Sequence, residues 1–280
     1  MVGAPENVEN MMTDWLGLPP LAATHGGQID SLLAWIHVFM LILFVGWGGF
    51  FVYTLVRFRR SRHPVANYTG VTSPASKYSE VGVAVIEAVL LFGFAIPIWA
   101  ARVDRVPPES ESLVVQVTAE QFAWNVRYAG PDGVFGRTDI KLIDLQSNPL
   151  GLDQSDPAAK DDVTTLNQLY LPANKPIIVR LRSKDVIHSF GVPEFRVKQD
   201  AIPGFTIPIY FVPDVTTEEM RTRTGNPEFQ YEIACAQLCG LGHYRMRGFV
   251  TVLSAGEFQN WMDGEVAKLK DQGPTDAIWR

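Results

Sequence analysis

The chain has 280 residues, a formal net charge of −6 and a hydrophobic fraction of 47%. That average conceals two parts: the first hundred or so residues hold two long apolar runs, and the rest reads as a water-soluble domain large enough for its own core. The only cysteines are Cys235 and Cys239, too few for a disulfide framework, and no Cys-x-x-Cys-His motif marks a covalently attached haem.

Residues 1–30 contain Glu6, Glu9, Asp14 and Asp30 and no Lys or Arg. They lack the basic start and apolar stretch of a secretory signal, so the first apolar run is expected to direct its own insertion. Residues 32–56 are apolar apart from His37 and Thr54. At about 1.5 Å per residue this run can cross a hydrocarbon core of roughly 30 Å. Residues 81–101 form a second such run, with Glu87 as its one charge and Pro97 near its far end. Buried core helices of a soluble protein rarely stay uncharged over such lengths.

Between the two runs lie Arg57, Arg59, Arg60, Arg62 and Lys77, with no acid over residues 57–79. The positive-inside rule places this loop in the cytoplasm. Both termini and the soluble domain then face the periplasm, or the outer side of a bacterial-type plasma membrane. The expected layout is an outer N-terminal segment over 1–30, a transmembrane hairpin over 31–105 and a soluble domain over 106–280.

Pro107 and Pro108 end the second helix. Residues 113–118, 122–128, 176–182, 207–212 and 248–253 are short runs rich in β-branched and aromatic residues, punctuated by Gly, Pro and Asp. They predict an all-β sandwich or barrel. Residues 145–165 are polar and read as an inserted surface loop. Ser254 is placed to cap a closing helix over 255–270, with Phe258, Trp261 and Val266 on one side.

The chemistry concentrates in Cys235-Ala-Gln-Leu-Cys239-Gly-Leu-Gly-His243-Tyr-Arg-Met246. Soft sulfur and imidazole ligands together select copper, zinc or iron. Gly240 and Gly242 argue against a helix, and strand-like flanks make the motif a loop between strands. A second imidazole must come from elsewhere. His188, in Asp185-Val-Ile-His188-Ser, is the only other histidine of the soluble part and stands at the end of a strand-like run. Structural zinc would place its histidines just after the cysteines, and Met246 would have no role there. A plain disulfide would leave His243 and Met246 unexplained.

The sequence closely resembles the cytochrome c oxidase subunit II family over almost its whole length. The resemblance rests on the two-span hairpin, Asp185-Val-Ile-His188-Ser, Asp200-Ala-Ile-Pro-Gly204 and the cysteine loop. It implies a two-helix transmembrane hairpin followed by an all-β cupredoxin-like Greek-key barrel carrying two copper ions in a mixed-valence binuclear centre. Cys235 and Cys239 would bridge the coppers, His188 and His243 would each bind one, and Met246 and the carbonyl of Gln237 would be the weak outer ligands. Electrons would come from cytochrome c, or from a dedicated or tethered cytochrome, and pass to haem in subunit I. There oxygen would be reduced to water with proton pumping. The implied partners are subunit I, other oxidase subunits, the donor cytochrome within a respiratory assembly, and lipid, with no nucleic acid and no haem in this chain.

Two positions depart from the family pattern. Gln237 stands where the family usually has Glu, whose carboxylate helps hold Mg²⁺ beside subunit I; an amide is a poorer Mg²⁺ ligand, which leaves Mg²⁺ open. Phe122 stands where the family typically has the Trp that admits the electron, so Phe122 or Trp124 is the expected route. Glu80, at the cytoplasmic start of the second span, matches the family glutamate that admits protons to subunit I. Glu87 lies seven residues on, on roughly the same helix face, and matches no family role. Asp185 matches a family docking residue for the donor.

Overall fold

The computed structural model describes residues 15–66, 68–69, 73–144 and 147–272. Its residues fall into two compact units, one over 27–104 and the other formed by Pro19–Gly26 with the chain from Arg105 onward.

The first unit is a pair of long apolar helices. Helix α1 (Gly26–Arg57) continues past both edges of the first apolar run. Helix α2 (Pro74–Ala88) begins where the Ser73 hydroxyl accepts the Ala75 N–H at 3.3 Å, with Pro74 in the first turn where its missing N–H is harmless. It continues through a π-helical segment (Val89–Ala95) into α3 (Ile96–Val103). The widened turns have a local cause in Pro97, whose ring would clash with the Gly93 carbonyl one α-turn back. No residue from Pro74 to Val103 is buried. Both helices are long and apolar enough to cross a membrane.

The second unit packs two five-stranded sheets around one core. The strands are β1 (Leu113–Glu120), β2 (Ala123–Tyr128), β3 (Val163–Leu166), β4 (Gln168–Pro172), β5 (Ile177–Ser183), β6 (His188–Val192), β7 (Val197–Ala201), β8 (Ile207–Phe211), β9 (Tyr231–Cys235) and β10 (Arg247–Leu253). One sheet runs β3-β2-β1-β5-β8 and the other β4-β10-β9-β6-β7. The β1–β5 and β4–β10 pairs are parallel and the others antiparallel. Strand β1 shows the expected two-residue period, with Val115, Val117 and Ala119 inward. Strand β6 is buried at all five positions.

Three readings of the sequence need correction. The polar run 145–165 is not loop throughout, because its last residues enter β3. Four residues with two threonines are too short and too polar to stand out. The chain then changes sheet at Asn167, whose left-handed backbone (φ 57°) suits an Asn. The Asn167 side chain accepts the Trp124 N–H and its own N–H reaches the Trp124 carbonyl, both at 2.8 Å. Second, His188 opens β6 and does not end a strand. Third, Pro19–Gly26 belongs with the β-domain. Ala22 donates to the Glu194 carbonyl at 2.9 Å and accepts from Asp214 at 3.2 Å, and Thr24 donates to the Val212 carbonyl at 3.1 Å. Ala22 and Ala23 are fully covered there.

Helix α4 (Thr217–Thr224) starts with a Thr216–Glu219 capping box. Helix α5 (Ala255–Gln272) is the expected closing helix, and Ser254 and Glu257 cap it reciprocally at 3.3 and 3.0 Å. Trp261 stacks on Tyr170 with ring centroids 4.4 Å apart, and Phe258, Met262 and Val266 cover the core.

Candidate metal centre

The sheet that holds β9, β10 and β6 brings the donor atoms together at one end. Cys235 is the last residue of β9, Met246 immediately precedes β10, and the intervening loop carries Gln237, Cys239 and His243. Strand β6 pairs with β9 so that Phe190 faces Cys235, which sets His188 beside the loop. Backbone bonds fix the crossing, with Cys235 N–H to the Met246 carbonyl at 3.3 Å and Ala236 N–H to the Ser189 carbonyl at 3.0 Å. A short 3₁₀ turn (His243–Arg245) then directs the His243 ring back toward Cys239.

The two thiol sulfurs lie 3.8 Å apart, well beyond the length of a disulfide, and both cysteines are free. His188 Nδ1 is 3.9 Å from Cys235 Sγ and His243 Nδ1 is 3.6 Å from Cys239 Sγ. Met246 Sδ lies 3.7 Å from Cys239 Sγ, and the Gln237 carbonyl oxygen lies 3.2 Å from Cys235 Sγ. The ligand atoms of His188, Cys235 and Cys239 all fall within 4.8 Å of one another. All six sequence-predicted metal residues therefore converge. Two soft thiols, two imidazole nitrogens, a thioether and a carbonyl form a donor set suited to copper.

Burial and hydrogen bonding prepare these donors. His188, Cys239 and Met246 are buried, while Cys235 and His243 are half-buried. Burial pushes the Cys239 thiol up to about 11, and the neighbouring Cys235 thiol adds to the rise. His188 Nε2 lies 2.8 Å from Asp185 Oδ1. With the proton on Nε2, Nδ1 is left as a lone pair facing Cys235. Desolvation raises the Asp185 carboxyl, but hydrogen bonds from His188 and from the Gln121 and Val186 N–H groups outweigh it and hold it below its ordinary value.

The aromatic candidates separate. Trp124 is fully buried, with its ring against His188 (centroids 6.3 Å, 64°) and Phe190 (5.7 Å, 87°). Phe122 is half-buried and lies over the loop, where a Cβ at Gly242 would come within 2.4 Å of its ring. Asp185, expected as a docking residue, has both carboxylate oxygens engaged by His188, Val186 and Gln121. Gln121 was not singled out from the sequence. The only trace of it there was the pair of loop glycines, which signal a close neighbour without naming it. Glu80 is exposed on α2 and is 3.5 Å from the Ser76 hydroxyl; Glu87 is exposed on the same helix.

A family model described as "Cytochrome C oxidase subunit II, periplasmic domain" matches residues 113–253. The "Alternative cytochrome c oxidase subunit 2" of Bradyrhizobium diazoefficiens is 32% identical over 259 residues, covering 91% of this chain and 85% of that protein. "Heme-copper oxidase subunit 2" of Aeropyrum pernix is 30% identical over 250 residues, covering 83% of this chain and 90% of that one. The crystal structure of the periplasmic domain of subunit II of cytochrome oxidase from Bradyrhizobium japonicum aligns with 59% of this chain and 99% of its own at 25% identity, with a TM-score of 0.40. Two apolar helices, a ten-strand cupredoxin-like domain and a loop of copper-type ligands thus accompany a family match that takes in all of β1 to β10, and the chain belongs to the cytochrome c oxidase subunit II family, whose members are parts of haem–copper terminal oxidase complexes.

Proposed function

We propose that this chain is the electron-accepting subunit of its oxidase. It takes electrons from a cytochrome c-type donor at a binuclear copper centre and passes them to haem in subunit I, where oxygen is reduced to water and protons are pumped. The observation that carries this reading is the pair of thiols 3.8 Å apart, each with its own histidine Nδ1 within 4 Å. Cys235, Cys239, His188 and His243 would hold the copper, with Met246 and the Gln237 carbonyl as further donors.

Copper, when bound, supplies one-electron redox chemistry. The residues supply the rest. Cys235 and Cys239 bind as thiolates, so loading releases their protons. Asp185 holds the His188 ring in one tautomer and one orientation. Trp124 and Phe190 close the inner side of His188 against water. Leu238, Leu241 and Tyr244 of the loop stand 78%, 97% and 85% exposed, an apolar rim that a protein partner can cover. Phe122, lying on the same loop, is the favoured route for the arriving electron, with Trp124 behind it. The exposed Gln237 side chain is a neutral amide, a poorer Mg²⁺ ligand than a carboxylate.

In the membrane, the positive-inside rule puts the basic loop in the cytoplasm and the β-domain outside. Glu80 then lies near the cytoplasmic surface, as a proton-admitting group for subunit I requires.

The test is to load the full-length chain with copper in detergent, count metal per chain and record its EPR spectrum. Two coppers and the hyperfine pattern of one electron shared by both nuclei are expected. One copper with a single-nucleus pattern, or preference for zinc, would overturn the proposal in favour of a copper chaperone or a structural metal site.

A further inference from the structure

Gln121 sits in the turn between β1 and β2, outside the ligand set, yet its two donor groups reach both ligand-bearing segments. Its side-chain Nε2 donates to the Cys239 carbonyl at 2.6 Å, across 118 residues of sequence. Its backbone N–H donates to Asp185 Oδ2 at 2.7 Å. The other oxygen of Asp185 accepts from the Val186 N–H at 2.7 Å and lies 2.8 Å from His188 Nε2. An unbroken line of contacts therefore runs His188–Asp185–Gln121–Cys239.

The loop is shaped to receive this turn. Gly240 has a φ of +130°, open to glycine and strained for any other residue. A Cβ there would come within 2.7 Å of Gln121 Nε2 and 3.2 Å of the Phe122 ring. At Gly242 a Cβ would meet three atoms of the Phe122 ring between 2.4 and 2.7 Å. Gly240 thus leaves room for Gln121 and Phe122, and Gly242 for Phe122. The Gln121 amide fixes the peptide plane directly after Cys239, and with it the direction of the Cys239 backbone.

We propose that Gln121 is a positioning residue for the copper centre, clamping the cysteine loop to the His188 segment so that the donor atoms stand in place before metal arrives. The proposal rests on the copper reading above and adds a residue that touches none of the metal-binding atoms. Groups of this kind, one contact removed from a metal, hold ligands in orientation, and their loss typically weakens metal binding by about 10- to 100-fold.

The test uses three variants of the full-length chain in detergent. Gln121→Ala removes the side chain. Gln121→Glu keeps its size and the backbone N–H but has no side-chain N–H to give the Cys239 carbonyl. Glu120→Gln is the comparator: it disturbs the neighbouring Glu120–Lys184 ion pair and leaves the clamp intact. The metal-free chain is treated with a thiol-alkylating reagent, and the copper-loaded chain is exposed to a chelator and examined by EPR. Both Gln121 variants should expose Cys239 to alkylation several-fold faster, release copper about tenfold faster and alter the hyperfine splitting, while Glu120→Gln matches wild type. Should Gln121→Ala fold poorly, the isosteric Gln121→Glu carries the result. Wild-type behaviour of Gln121→Glu in all three assays overturns the clamp, as does an equal shift in Glu120→Gln. If the wild-type chain takes up no copper, the copper reading fails, and the alkylation rates of the metal-free chain still decide on the clamp.

Discussion

In the β-domain, His188, Trp124 and Phe190 are fully covered by the chain's own atoms, and His188, Cys235 and His243 find hydrogen-bond partners within the same unit. In the hairpin, no residue from Pro74 to Val103 is covered, and Phe44 and Trp99 are 76% and 63% exposed. The β-domain is a finished core with a finished site. The hairpin has its backbone hydrogen bonds but leaves its side chains to be buried by lipid or by other subunits. Metal binding should accordingly respond to changes within the β-domain alone, and activity to changes in either.

The largest effect that would sharpen this contrast is at Cys239. Under the proposed copper reading, Cys239→Ser should abolish the shared-electron EPR signal and reduce bound copper, read by metal analysis, because a hydroxyl does not replace a soft thiolate ligand. Next is the core. Trp124→Ala should destabilise the β-domain by about 3–5 kcal/mol in denaturant unfolding, through the cavity left among His188, Phe190 and β2. Phe44→Ala in α1 should leave that transition unmoved; an equal loss would erase the contrast. A smaller effect is expected at Glu80. Glu80→Ala should slow turnover and proton uptake of the assembled oxidase several-fold while copper content stays at the wild-type level.

The smallest expected effect depends on pH. Burial raises the Glu194 carboxyl above its ordinary value, and its Oε2 has no hydrogen-bond partner among the described residues. The folded domain therefore holds that proton more tightly than the unfolded chain. This contribution to stability is complete below the ordinary pKa and is lost as pH rises through the raised one. Glu194→Gln should flatten the pH dependence in that interval and give a small gain in stability at neutral pH.

Much of the site was legible in the sequence because copper chemistry is local in its demands. Cys235, Gln237, Cys239, His243 and Met246 lie within twelve residues, and His188 was the one remaining histidine after residue 105. The spans were legible because bilayer thickness sets their length. Strands β3, β4 and β7 were not; β3 and β7 are short and polar and gain their order from β2 and β6, and β4 gains its from β10. The Gln121–Cys239 contact spans 118 positions, and no local pattern encodes it. Trp124 and Phe122 were singled out together, but only packing reveals that one lies behind His188 and the other over the loop.

The segment Pro19–Gly26 has a consequence for how the molecule is made. It leaves the ribosome well before the surfaces it covers, because Glu194, Val212 and Asp214 follow it by some 170 to 190 residues. During synthesis it must wait for the residues that later hold it, because Glu194, Val212 and Asp214 are made after it. Its docking joins the chain before the first apolar helix to the chain after the second. A fragment starting at Arg105 would lack this seal and present bare backbone where Ala22 and Thr24 belong. Supplying the missing stretch as a free peptide would have to overcome the entropy that the intact chain avoids by tethering it.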